Sequence, residues 1–124
     1  MIRFLTVAGS LLLLLPGGAT TTLAVAEAAM HREVRAIEAP QTNTVVTLEL
    51  SWFEKANRIV AESVCLDLGT EDKNYRLCRQ RAQQLFQAEC SQHQKQLAAA
   101  VMPIDPELRA ALKKFCVAAE TFVP

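Results

Sequence analysis

Four cysteines, Cys65, Cys78, Cys90 and Cys116, constrain this 124-residue chain more than any other feature. Their role depends on compartment, because thiols stay reduced in most cytosols and pair outside them. The first residues bear on that question. Met1-Ile2-Arg3 is a short positive start, Phe4 to Leu15 is an apolar run, and Pro16-Gly17-Gly18 breaks any helix. Ala24-Val25-Ala26 fits the small-x-small pattern of a cleavage site, with Ala19 and Ala24 as alternative cut points. Residues 1–26 therefore read as a signal peptide. The rival is an uncleaved anchor, because no charge occurs from Phe4 to Ala26 and that span could cross a bilayer. The Pro-Gly-Gly break and Thr20-Thr21-Thr22 dilute its second half. Export places the mature chain in the periplasm or outside the cell, with no membrane attachment after cleavage. There four cysteines mean disulfides first and metal second.

Residues 27–43 read as a flexible lead. Glu27 to Glu38 is compatible with a short helix that Pro40 ends, and Gln41-Thr42-Asn43 is turn-like. From Thr44 to Leu50 the pattern alternates, with Val46, Leu48 and Leu50 on one side and Thr47 and Glu49 on the other. That period argues for a short strand. A lone strand would need a second copy or another chain to pair with, so an early start to the next helix is the equal alternative. Ser51-Trp52-Phe53-Glu54 has the form of a capping box. A helix from there to about Asp67 would gather Trp52, Ala56, Ile59, Val60 and Val64 on one face, and Gly69 would end it. A second helix is expected from Thr70–Asp72 to about Val101. A third should begin at Pro106, with Asp105 as its N-cap, and carry Leu108, Ala111, Leu112, Phe115, Cys116 and Ala119. The expected fold is therefore all-α: a domain over residues 44–124 made of three antiparallel helices in two consecutive hairpins, with two disulfides.

Helix geometry narrows the pairing. Cys78 and Cys90 fall within one helix, roughly 18 Å apart at its ordinary rise, beyond the approximately 4.4–6.8 Å between Cα atoms that a disulfide spans. Of the two remaining schemes, Cys65–Cys78 with Cys90–Cys116 keeps both bridges in step with the turns they straddle. Cys65–Cys90 with Cys78–Cys116 does not.

The chemistry-bearing residues are sparse. No P-loop, dinucleotide-binding glycine pattern, zinc-protease helix or serine-nucleophile elbow occurs. The two histidines, His31 and His93, lie in the lead and in a glutamine-rich stretch, and both read as solvated. Cys90 and His93 could share a metal only if the cysteine were reduced, and two ligands are not a site. Lys73, Arg76, Arg79 and Arg81 form a local basic cluster, readable as an anionic-partner surface or as a solvated helix face. Trp52 and Phe53 are candidate interface anchors, or else core. Losing residues 1–26 takes one cation, Arg3, from a chain of 13 basic and 13 acidic residues. The resulting net charge of about −1 gives no electrostatic reason to expect nucleic acid.

Val45-Val46-Thr47-Leu48-Glu49-Leu50-Ser51, a helix ending Val64-Cys65, and Tyr75-Arg76-Leu77-Cys78-Arg79 together resemble the UrcA family. These are small exported proteobacterial proteins, usually with a signal peptide, an "LDLS"-like segment and two cysteines flanking a loop. The resemblance covers about residues 44–82. Glu49 stands where the family favours aspartate, and Cys90, Cys116 and the last hairpin are additions. The family has no assigned activity, so the resemblance implies compartment and fold rather than function, and it tips residues 44–50 toward a strand. The sequence thus points to a non-enzymatic interaction protein without a cofactor, meeting an envelope or secreted partner or a second copy of itself. A small-ligand or metal-binding protein is the alternative.

Overall fold

The structure, a computed structural model, describes residues 29–124; the expected signal peptide lies outside the described residues. The fold is α+β, not the all-α arrangement that helical periodicity suggested. A three-stranded antiparallel sheet in the order β1-β2-β3 is formed by β1 (His31–Gln41), β2 (Thr44–Lys55) and β3 (Arg58–Ile59), and two helices follow, α1 (Tyr75–Ala99) and α2 (Pro106–Thr121).

The alternating segment is indeed a strand, and its partner is the segment just before it. β1 and β2 pair along their whole length, from Gln41 opposite Thr44 to His31 opposite Glu54. Residues 31–41 are thus part of the sheet, not a lead or a short helix. Two residues, Thr42 and Asn43, make the reversal, with Asn43 at φ 67°, a conformation asparagine tolerates better than most side chains. Pro40 is accommodated because β1 is an edge strand.

The expected helix over 51–67 does not form either. Trp52, Ala56, Ile59, Val60 and Val64 satisfy a helical spacing, but Leu48, Leu50 and Trp52 equally satisfy the two-residue period of the strand they continue. Extending the strand buries Trp52 to 1 % exposure and gives residues 31–35 of β1 a ladder to pair with. A helix beginning at Ser51 would leave those backbone groups without partners. Ser51 and Glu54 therefore serve the sheet, not a capping box. β2 turns into β3 through Ala56 and Asn57, both at positive φ (51° and 60°), as a two-residue hairpin in a right-twisted sheet requires.

Two short 3-10 turns, Ala61–Ser63 and Leu66–Leu68, carry the chain from β3 to α1. They stand beside β2 along the part of its edge that the short β3 leaves unpaired. The Cys65 N–H donates to the Ser51 carbonyl (2.8 Å), and the Phe53 N–H donates to Ser63 Oγ (2.8 Å). The core lies between the inward face of the sheet and the helical hairpin. Phe86 of α1 is its centre, edge-on to both Trp52 and Phe122 at 5.3 Å. Leu48, Leu50, Val64, Ala82 and Phe115 close around it.

The last two helices form much as the sequence suggests. Asp105 caps α2, its Oδ1 accepting from the Glu107 N–H at 2.9 Å, with Pro106 in the first turn. Both disulfides adopt the pairing that spacing favoured, Cys65–Cys78 and Cys90–Cys116. Only the second joins two helices. Cys65 sits between the 3-10 turns at φ 64°, so its bridge ties the strand-to-helix connection onto α1.

Candidate functional site

Among the residues that the sequence singles out, few form a common surface. Trp52 is core. Phe53 is half-buried on the opposite side of β2. Arg79 is not available to a partner: its guanidinium donates to the carbonyls of Ala61 (3.0 Å), Val64 (3.2 Å) and Val123 (2.9 Å) and lies 4.6 Å from the Phe122 ring centroid. It fastens the connection and the C-terminus to α1. Arg81 is engaged with Gln84 (2.9 Å), while Lys73 and Arg76 are exposed. The four cations therefore do not act as one patch.

The structure instead assembles two features that the sequence reading missed. The first is a half-buried polar clasp at the sheet–helix junction. Arg35, pointing inward from β1, lies 5.5 Å from the Trp52 ring and 5.6 Å from the Phe115 ring and pairs with Glu89 of α1. His93 stacks on Phe115 at 5.6 Å, and its Nδ1 donates to the Glu89 carbonyl at 2.6 Å. This histidine is partly enclosed, not solvated as its glutamine-rich context suggested. On the other side Lys114 of α2 donates to Glu54 (3.1 Å), which also accepts from the Trp52 indole N–H (3.0 Å). Each cation has an opposite charge and an aromatic face, so the desolvation of the group is offset. Its ion pairs join β1 to α1 and β2 to α2, and no buried side-chain polar atom among the described residues is left without a partner, so its role is to lock strands to helices.

The second feature is an open groove along the side of the helical hairpin turned away from the sheet. It has a volume of about 450 Å³, with Leu97, Leu112, Cys116 and Val117 as its apolar floor and Arg109 and Lys113 on its rim. A smaller hollow of about 230 Å³ continues past Lys113 and Val117 to Asn57 and Arg58 at the β2–β3 turn. Asn57 Nδ2 donates to the Ala110 carbonyl (2.9 Å), which fixes that turn against α2. The half-exposed Cys90–Cys116 bridge holds the two helices 4.7 Å apart at Cα and so sets the groove's width. Arg109 and Lys113 are four residues apart, and among the described residues neither they nor Arg58 has an ion-pair partner. Like charges at this spacing repel. That pair, beside the apolar helix positions Leu112 and Cys116, was a signal of the groove in the sequence.

Across the sheet, on its solvent face, Asp67 receives hydrogen bonds from Arg32 and from Ser51 Oγ (2.9 Å). The Arg32 bond foremost, then the Ser51 bond, holds its carboxyl below the ordinary value, against a small opposing effect of burial. This contact joins β1 to the 3-10 connection.

Among the described residues, no cluster of three or more His, Cys, Asp or Glu side chains is placed to hold a metal, and no helix is long and apolar enough to cross a membrane. No protein-family model, curated protein or solved structure matches the chain.

Proposed function

We propose that this chain is a small non-enzymatic interaction protein of the periplasm or cell exterior, and that its working surface is the groove on the outer side of the α1–α2 hairpin. The observation that carries this reading is a contiguous apolar floor, Leu97, Leu112, Cys116 and Val117, that lies half-open to solvent on the side of the hairpin away from the core. Val101 and Met102, 85 % and 73 % exposed in the turn at the same end of the hairpin as Leu97, add to it. Contiguous apolar surface of that kind marks a partner site more often than a solvated one. The disulfides support an oxidising compartment, as does the signal-like start of the sequence. The partner is an envelope or secreted protein, or a second copy of the chain.

The test is a photo-crosslinking residue placed at Leu112 in the groove and, as control, at Glu38 on the solvent face of the sheet. The expected result is a discrete adduct from the Leu112 position alone. A clean monomer with no adduct from either position refutes the reading. The groove's volume also falls in the range of small-molecule sites, which supports a ligand-binding protein as the second reading. Native mass spectrometry separates the two, because a retained ligand adds mass to the monomer.

A further inference from the structure

The charges around the groove say more than that something docks there. Arg109 and Lys113 stand on one rim, and Arg58 closes the hollow that continues from it. All three are exposed and without an ion pair among the described residues. Elsewhere the described cations that touch the core are answered. Arg35 has Glu89, Lys114 has Glu54, and Arg79 has three carbonyls. A single acidic group, Glu120, lies at the C-terminal end of the groove. The chain as a whole is neutral, so this local excess of cations is a property of the site and not of the composition.

From this complementarity we propose that the groove takes an acidic amphipathic helix of a partner protein, with apolar residues on the Leu97–Leu112–Val117 floor and carboxylates against Arg58, Arg109 and Lys113. This rests on the interaction reading above and names its partner class. Two observations choose that occupant over the others. A second copy laid groove to groove would bring together two patches of the same net positive charge, three cations against the single Glu120 on each, because a two-fold contact uses the same patch twice, and like-charged patches oppose association. A small amphiphilic anion would meet the same cations, but the groove is open along its side and not enclosed, whereas small-ligand sites cover most of the ligand. From Arg109 to Glu120 the rim follows three turns of α2, roughly 16 Å at the helical rise. That length accommodates the i, i+4, i+7 anchors of a helix seated in a groove, which span about 10.5 Å.

The test is selection of a random 16-residue peptide display library on the oxidised mature protein, free of any assumption about sequence. The expected pool is enriched in Asp and Glu flanking apolar residues at helical spacing. Its leading peptides should shift the NMR signals of Leu97 and Leu112 and lose at least tenfold in affinity on Leu112→Asp. The double variant Arg109→Glu/Lys113→Glu, whose exposed substitutions leave the core untouched, should select basic flanks instead. A pool with no acidic excess, whose peptides nevertheless perturb the groove, overturns the acidic-helix assignment while leaving the interaction reading in place. A pool indifferent to Leu112→Asp, or no enrichment at all, overturns the assignment outright. Decanoate shifting Leu97 and Leu112 where no peptide is selected would transfer the groove to small amphiphiles and overturn it too.

Discussion

The two disulfides differ in their access to solvent, and that difference predicts the order in which the domain comes apart. Cys65 and Cys78 are fully buried, whereas Cys90 and Cys116 are half-buried, with Cys116 on the groove floor. Limited reduction should therefore open Cys90–Cys116 first, because exchange needs a thiolate to reach sulfur. The bridges join cysteines 13 and 26 residues apart. On the chain-entropy relation those loops correspond to about 2.9 and about 3.5 kcal/mol. Against roughly 5–15 kcal/mol for an entire domain, losing the outer bridge alone is a large fraction. For a domain of this size it lowers Tm by about 14–28 °C. The β1–β2 hairpin makes no use of that bridge, so strand signal should outlast helix docking. The assay is stepwise reduction with a phosphine, trapping with a maleimide, mass mapping of the labelled cysteines, and a thermal melt of the singly reduced form. Labelling of Cys65 and Cys78 first, or at the same rate, refutes the accessibility argument. Coincident melts after confirmed reduction of both bridges would falsify the claim that they carry the domain's stability.

Three further outcomes follow from packing, turn geometry and charge. Phe86→Ala should cost about 3–5 kcal/mol in urea unfolding, because Phe86 is fully buried and meets Trp52, Phe115 and Phe122; Val45→Ala, at 66 % exposure, should stay within about 0.5 kcal/mol, and similar losses at both sites would displace Phe86 from the centre of the core. Ala56→Gly should stabilise by roughly 1 kcal/mol, since Ala56 holds φ 51°, where a Cβ is strained; a lower denaturation midpoint would show the turn to be otherwise arranged. Asp67 has a folded-state carboxyl held below its ordinary value near 3.8 by Arg32 and Ser51. Its contact therefore contributes fully above that ordinary value and is lost as pH falls through the lower folded one. Because Arg32 and Asp67 are each about half exposed, the effect should be small and weaker in high salt. Urea midpoints of the wild type and Asp67→Asn should converge toward pH 2 and separate above pH 4, and parallel curves would remove Asp67 from the acid response.

How much of the site the sequence disclosed follows from the range of each signal. Leu97, Leu112 and Cys116 were legible as apolar helix positions, but nothing local says that this side of the hairpin lacks a cover. The clasp was hidden for the opposite reason. Arg35 and Glu33 point inward from β1, so the strand's buried face does not read as apolar, and charges there resemble a solvated segment until Trp52, Glu89 and Phe115 are brought to Arg35 from 17, 54 and 80 residues away.

By itself the sequence determined the elements whose causes lie within a few residues: the alternation of 44–50, the long helix of glutamines and arginines, and the Asp105-Pro106 start of α2. The sulfur pairing was legible too: a rigid helix forbids Cys78–Cys90 and the α1–α2 turn favours Cys90–Cys116, although Cys65–Cys78 closes a strand-to-helix connection and not the helical hairpin that the spacing suggested. Only the tertiary structure decided that Ser51–Lys55 continues a strand, since the same residues fit two periods. The choice was made by residues 31–34, which pair with Ser51–Glu54 in the sheet and would lose that ladder if Ser51 began a helix. Pairing across a sheet is a contract between segments, and neither segment carries the whole of it.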